Sequence, residues 1–189
     1  MTAEQIGQFI QGGKWKSITT ELRPSISKNA AGDIQPFYLD REFEYGEQDS
    51  FSCLVTNYAD PNGKVPLVKI LIKGHLVWQG EHPLADGAYK VDYVADEVYE
   101  ITPLHQGFAD VLNRFPAQGI ATWKVGEAQD LKGKVFPLFG LASTDVYVDY
   151  DLIYVYEGLL FNGSKNVDGR PFDRPENRPT NLQLPLVRK

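Results

Sequence analysis

Charged side chains that share a strand-like face with aromatic ones are where this chain could build chemistry. From Trp15 to Arg23 the residues alternate, with Ile18, Thr20 and Leu22 on one face and Trp15, Ser17, Thr19, Glu21 and Arg23 on the other. Successive strand side chains point to opposite sides, so Glu21 and Arg23 go wherever Trp15 goes. If that is inward, a carboxylate and a guanidinium meet inside the protein, where either one unpaired would be costly. Glu21 and Arg23 are then candidate catalytic residues, or the holders of a polar ligand group. The opposite assignment puts Ile18, Thr20 and Leu22 in the core and the charged pair in solvent. Arg41 raises the same question among Leu39, Phe43 and Tyr45. Inside an aromatic cavity its guanidinium is a natural bidentate anchor for a carboxylate. At a barrel mouth it would only lay its stem along the wall.

Three histidines, His75, His82 and His105, are the side chains that titrate near neutrality when unperturbed. Their spacing matches no helix-borne zinc signature, and no metal site is expected. His105 falls in the first turn of an expected helix, where the positive end of the dipole lowers an imidazole pKa. It is a candidate general base, and His75 at a strand start is a candidate for the site as well. Residues so placed are more often surface or capping groups, which is the alternative for both. His82, beside Pro83 in a loop, is expected to take no part. Tyr45, Phe43, Trp78 and Tyr89 join Arg41 and His75 as expected ligand-binding residues, since a phenol supplies an apolar wall and a hydrogen bond together. Asp145, Asp149 and Asp151 fall on strand alternation, lack the glycine turn of a calcium loop, and read as a solvated face. Phosphate loops, nucleophile elbows and Cys–His dyads are absent, so no cofactor is expected.

The bulk composition narrows the classes. The 189 residues fit a single domain over 1–189, and 42% hydrophobic with 23% charged residues is ordinary for a globular chain. A net charge of −6 without any Lys/Arg cluster argues against a nucleic-acid partner. The single cysteine, Cys53, excludes an internal disulfide framework. No apolar run is long enough to span a bilayer, and the start MTAEQIGQFIQGGKW reads as no secretory leader. A cytoplasmic protein is expected, and a homodimer stays open as its assembly.

The elements that must carry these residues are short strands. Ala3 to Ile10 reads as a helical lead, Phe37–Tyr45 and Phe51–Tyr58 as a hairpin around Gly46–Asp49, and Asp60-Pro61-Asn62-Gly63 as a turn. Val65–Ile72 and His75–Gln79 read as a hairpin about Lys73-Gly74. Ala88–Val94, Glu97–Ile101, Gly119–Val125, Thr144–Asp149 and Asp151–Tyr156 read as further strands. Thr102 as N-cap and Pro103 at the first position open one internal helix, with Leu104, Phe108, Val111, Leu112 and Phe115 as its apolar stripe. Asn29–Gly32 reads as loop, and 162–189 as an aperiodic C-terminal strap. Roughly nine or ten short strands without a strand–helix rhythm predict an all-β antiparallel fold. Closure into a barrel of about eight to ten strands, or one open on a side, hides the edges and leaves room for one small ligand.

Gly13-Lys14-Trp15 resembles the Gly-x-Trp opening of lipocalins and other calycins. With Thr20-Glu21-Leu22-Arg23-Pro24 it resembles the Trp, then Glu-x-Arg-Pro, opening of the APCDD (adenomatosis polyposis coli down-regulated) domain, in its bacterial-type relatives. Leu104–Asn113, Glu157–Gly163, Arg174-Pro175 and Leu182–Leu186 agree in kind. The resemblance implies a calycin-like, lipocalin-like barrel with an apolar cavity for a lipid-type ligand. Secreted members carry a signal peptide and several cysteines, so Wnt antagonism is not implied. Two functions follow as expectations: a binding module for a hydrophobic or amphipathic small molecule, lipid-like or aromatic, or a cofactor-independent cyclase, isomerase or decarboxylase of a hydrophobic specialised metabolite. A cavity with one anchor would favour the first, and convergent titratable groups the second.

Overall fold

The computed structural model describes residues 1–23, 31–33, 36–166 and 168–189. Pro24, the expected end of the first strand, and Asn29, in the expected loop, lie outside them. Ten strands form one antiparallel sheet: β1 (Lys14–Ser17), β2 (Glu21–Arg23), β3 (Phe37–Tyr45), β4 (Ser50–Tyr58), β5 (Pro66–Glu81), β6 (Tyr89–Pro103), β7 (Gln129–Asp130), β8 (Tyr147–Tyr156), β9 (Leu159–Phe161) and β10 (Leu186–Arg188). Pairing runs β1-β10-β9-β8-β6-β5-β4-β3, and β3 returns to β1 through Trp15 opposite Phe43. The result is a closed eight-stranded antiparallel barrel of calycin-like architecture, with β2 continuing the line of β1 along β3 and β7 extending the edge of β6.

Helix α1 (Ala3–Ile10) starts from a capping box in which Thr2 and Gln5 bond reciprocally, and it buries Ile6 and Ile10. Those residues pack with fully buried Trp15, whose indole N–H donates to the Ile10 carbonyl at 2.8 Å. The helix thereby plugs one end of the barrel. Phe43, Tyr45, Phe51, Tyr93, Ile153, Leu160 and Leu186 continue this core inward.

Several boundaries differ from the sequence reading, each for a local reason. Lys73-Gly74 is no hairpin: β5 runs unbroken for 16 residues, with a bulge between Lys73 and His75. A Cβ at Gly74 would lie 1.9 Å from the Val94 carbonyl, so the glycine marks a close strand approach. Strand β6 likewise absorbs both expected segments as one strand of 15 residues, and β8 unites the two expected around Tyr150. Thr102 and Pro103 are the last residues of β6. Helix α2 (Gln106–Leu112) begins instead after His105, whose imidazole caps it. Gly119–Val125 forms no strand. Its Trp123 packs under α2 with Leu112, Leu131, Phe136 and Leu141, a second core resting on the outer ends of β5 and β6 at Val68 and Ile101. The C-terminal strap is ordered through its described residues and ends as barrel strand β10.

Candidate functional site

Strand parity brings the charged groups together. Ile18–Thr20 interrupt the first strand and Thr19 is exposed, yet Trp15, Ser17, Glu21 and Arg23 all fall on the inner side. Glu21 is fully enclosed. Its Oε1 accepts from the Ser17 hydroxyl at 2.6 Å and from Arg41 Nε at 2.9 Å. Its Oε2 accepts from Gln183 Nε2 at 2.9 Å and lies 3.0 Å from Arg23 Nη2. These donors fill the lone-pair positions of the carboxylate, which has no acceptor capacity left for a substrate. Glu21 therefore has the geometry of a buried structural anion.

Arg41, on β3, is committed as well. Beyond Glu21, its Nη1 donates to Asn162 Oδ1 at 3.1 Å and its Nη2 reaches the Leu184 carbonyl at 3.5 Å. Asn162 continues the network toward the floor, donating to the Tyr93 hydroxyl at 2.9 Å, which sits 3.0 Å from that of Tyr45. Arg23 differs from Arg41. Its Nη1 donates to Gln183 Oε1 at 2.7 Å, but its Nε–H is buried and meets no acceptor. Burial, and then the charge of Arg41, lower the Arg23 pKa, the mark of two guanidiniums around one carboxylate.

On the opposite wall β8 contributes Asp149 and Asp151, two apart and both inward, so the solvated-face reading is corrected for these two, while Asp145 is exposed. Period two was read properly, but Ile153 and Val155 on the same face join the core. Asp151 Oδ1 accepts from the amides of Leu152 at 2.7 Å and Gly163 at 2.8 Å. Burial, then the neighbouring Asp151 charge, raise Asp149 to about 8. Burial raises Asp151 to about 6 against its two amide bonds. Each carboxyl thus holds its proton to higher pH than an exposed aspartate, and the two titrate as a pair.

These groups surround a cavity of about 320 Å³, at the small end of ligand-pocket sizes. Phe37, Leu39, Phe43, Val55 and Ile72 give it apolar walls, with Cys53 between them. Arg23, Arg41, Asp149 and Asp151 supply its charge, and Lys165, Arg170 and Phe172 of the strap border it. The lone thiol of Cys53 is pushed up to about 12 by burial, so it is a poor nucleophile.

Of the residues singled out in the sequence, Arg23, Arg41 and Phe43 reach this cavity, with Glu21 behind the two arginines and Tyr45 below them. Trp78 and Tyr89 do not. They meet edge to face at 6.2 Å, and the Trp78 indole donates to Asp49 at the α1 end. His75 pairs with Asp96 at 3.0 Å on the outer side of the β5 bulge. His105 caps α2 from an exposed position, accepting the Gly107 amide at 3.2 Å. Asn162 and Gln183 were not singled out, because the strap that carries them has no periodicity to read. Among the described residues no group of three or more His, Cys, Asp or Glu side chains is arranged to hold a metal ion, and no helix is long and apolar enough to cross a membrane. The fold and site thus define a calycin-like barrel with a buried charge network opening on one internal cavity. No model of a known protein family matches the chain.

Proposed function

We propose that the barrel holds one hydrophobic or amphipathic small molecule in this cavity. The observation that carries the reading is the combination of a closed barrel with a cavity of about 320 Å³ in which an apolar wall of Phe37, Leu39, Phe43, Val55 and Ile72 meets charged groups from β2, β3 and β8. An apolar body gains from burial against Phe37, Val55 and Ile72, while the charged groups orient it. The resemblance to the APCDD domain is part of this proposal, since it implies the same use of the cavity. So is a cytoplasmic setting, which accords with a free Cys53. The test is native mass spectrometry of protein purified without denaturant, together with thiol labelling of Cys53. A bound small mass that leaves on denaturation, and whose presence slows labelling, is expected. A bare protein whose Cys53 no added amphiphile protects would sink the reading. The same spectrum reports monomer or homodimer.

One observation favours a second reading, a cofactor-independent enzyme of a hydrophobic metabolite. Asp149 and Asp151 place two coupled carboxyls with raised pKa values on the cavity, the arrangement expected of proton-transfer sites. On this reading Asp149, not Glu21, handles the proton. Asp149→Asn should then abolish turnover while the ligand still binds; unchanged turnover excludes it.

A further inference from the structure

Arg23 and Lys165, both part-buried at the cavity, have donors left without an acceptor. Arg23 spends Nη1 on Gln183 and Nη2 on Glu21, and its Nε–H is buried with none. The Lys165 ammonium lies 6.0 Å from the Phe37 ring centre and, among the described residues, has no carboxylate partner. Arg41 differs in that each of its three nitrogens already meets an acceptor, in Glu21, Asn162 and Leu184. One carboxylate, Glu21, stands between the two guanidiniums, and Asp149 and Asp151 face them across the cavity, whereas the Lys165 ammonium adds a cation with no such partner among the described residues.

We propose that the occupant is an amphipathic carboxylic acid, its carboxylate accepting from the Arg23 guanidinium edge that lines the cavity and from the Lys165 ammonium, and its apolar body lying against Phe43, Val55 and Ile72. The proposal rests on the reading of the barrel as a ligand-binding cavity. Charge-assisted bonds from two cations reward an anionic oxygen far more than a neutral one. A cationic head could approach Asp149, but in so small a space it would also face Arg23, Arg41 and Lys165. A neutral alcohol would leave the Lys165 ammonium without a counter-charge.

Three probes of one shape separate these cases: 4-phenylbutyrate, 4-phenylbutan-1-ol and 4-phenylbutylamine, each titrated into the protein calorimetrically at pH 7. The acid should bind about tenfold or more tightly than the alcohol, and the amine most weakly. Lys165→Met, at the half-buried cavity border, should lose most of the acid-over-alcohol preference. Arg23→Lys, which keeps the charge but removes the fork, should lose it too, with near-ultraviolet circular dichroism confirming the fold of each variant. Equal binding of the three probes overturns the carboxylate while leaving the cavity reading intact. Tightest binding of the amine overturns it and moves the head group to Asp149. Binding by none of them, with Cys53 unprotected, overturns this proposal and the cavity reading together.

Discussion

Glu21 and Asp149 are both acids turned into the barrel, and their partners give them different work. Glu21 holds two guanidiniums in place. Glu21→Gln leaves those buried cations without their counter-charge and should cost about 3–5 kcal/mol in chemical denaturation. A loss under about 1 kcal/mol would mean that the network is dispensable. Asp149 has a folded pKa above its unfolded one. Between about pH 4 and about pH 8 the native state therefore binds more protons than the unfolded chain, and stability falls as pH rises through that window. Denaturation midpoints of the unliganded protein should show this decline, and Asp149→Asn should flatten it. A variant with an undiminished slope would place the titration elsewhere.

The long strands β5 and β6 cross from the barrel to the second core, and the bulge at Gly74 lets them do so. The bulge shifts the register between Lys73 and His75, which turns His75 outward to Asp96 while Leu76 stays in the core. Gly74→Ala drives a methyl group into the Val94 carbonyl and against the Asp96 amide, so one strand must move. A loss of about 1–3 kcal/mol is expected, read by thermal melting, with broadened amide signals on both sides of the bulge. An unperturbed melt would show that the strands can separate there without cost.

The strap from Asn162 to Pro185 ties the molecule into one piece. Arg178 anchors it, donating to the backbone carbonyls of Val91 at 3.0 Å and Asp151 at 2.8 Å and pairing with Asp92 while its guanidinium covers the Tyr150 ring. The same strap supplies Gln183 to Glu21 and Lys165 and Phe172 to the cavity border, so fastening and site are joined. Arg178→Gln should raise hydrogen exchange at the Ser164, Gln183 and Tyr150 amides, which bond to or from the strap. Exchange across β4 and β5 should stay as it was. Equal acceleration everywhere would mean that the strap and barrel open as one unit.

Alternation along Trp15–Arg23 and Phe37–Tyr45 put Glu21 and Arg23 on the face of Trp15 and Arg41 on that of Phe43 and Tyr45, and the closed barrel makes those faces the inner ones, with period two surviving the break at Ile18–Thr20. The same pattern at Asp149 and Asp151 was read outward, since alternation assigns two faces without naming the wet one. Only β6 and the strap, packed on either side of β8, decide that. Local signals erred where long-range pairing overrode them: Lys73-Gly74 has turn chemistry, yet β4 and β6 flank it and keep it extended. Asn162, Gln183 and Lys165 could not be found in advance. They lie in an aperiodic segment, and their roles exist only because barrel closure brings a chain end roughly 120 to 160 residues distant in sequence against the first strands.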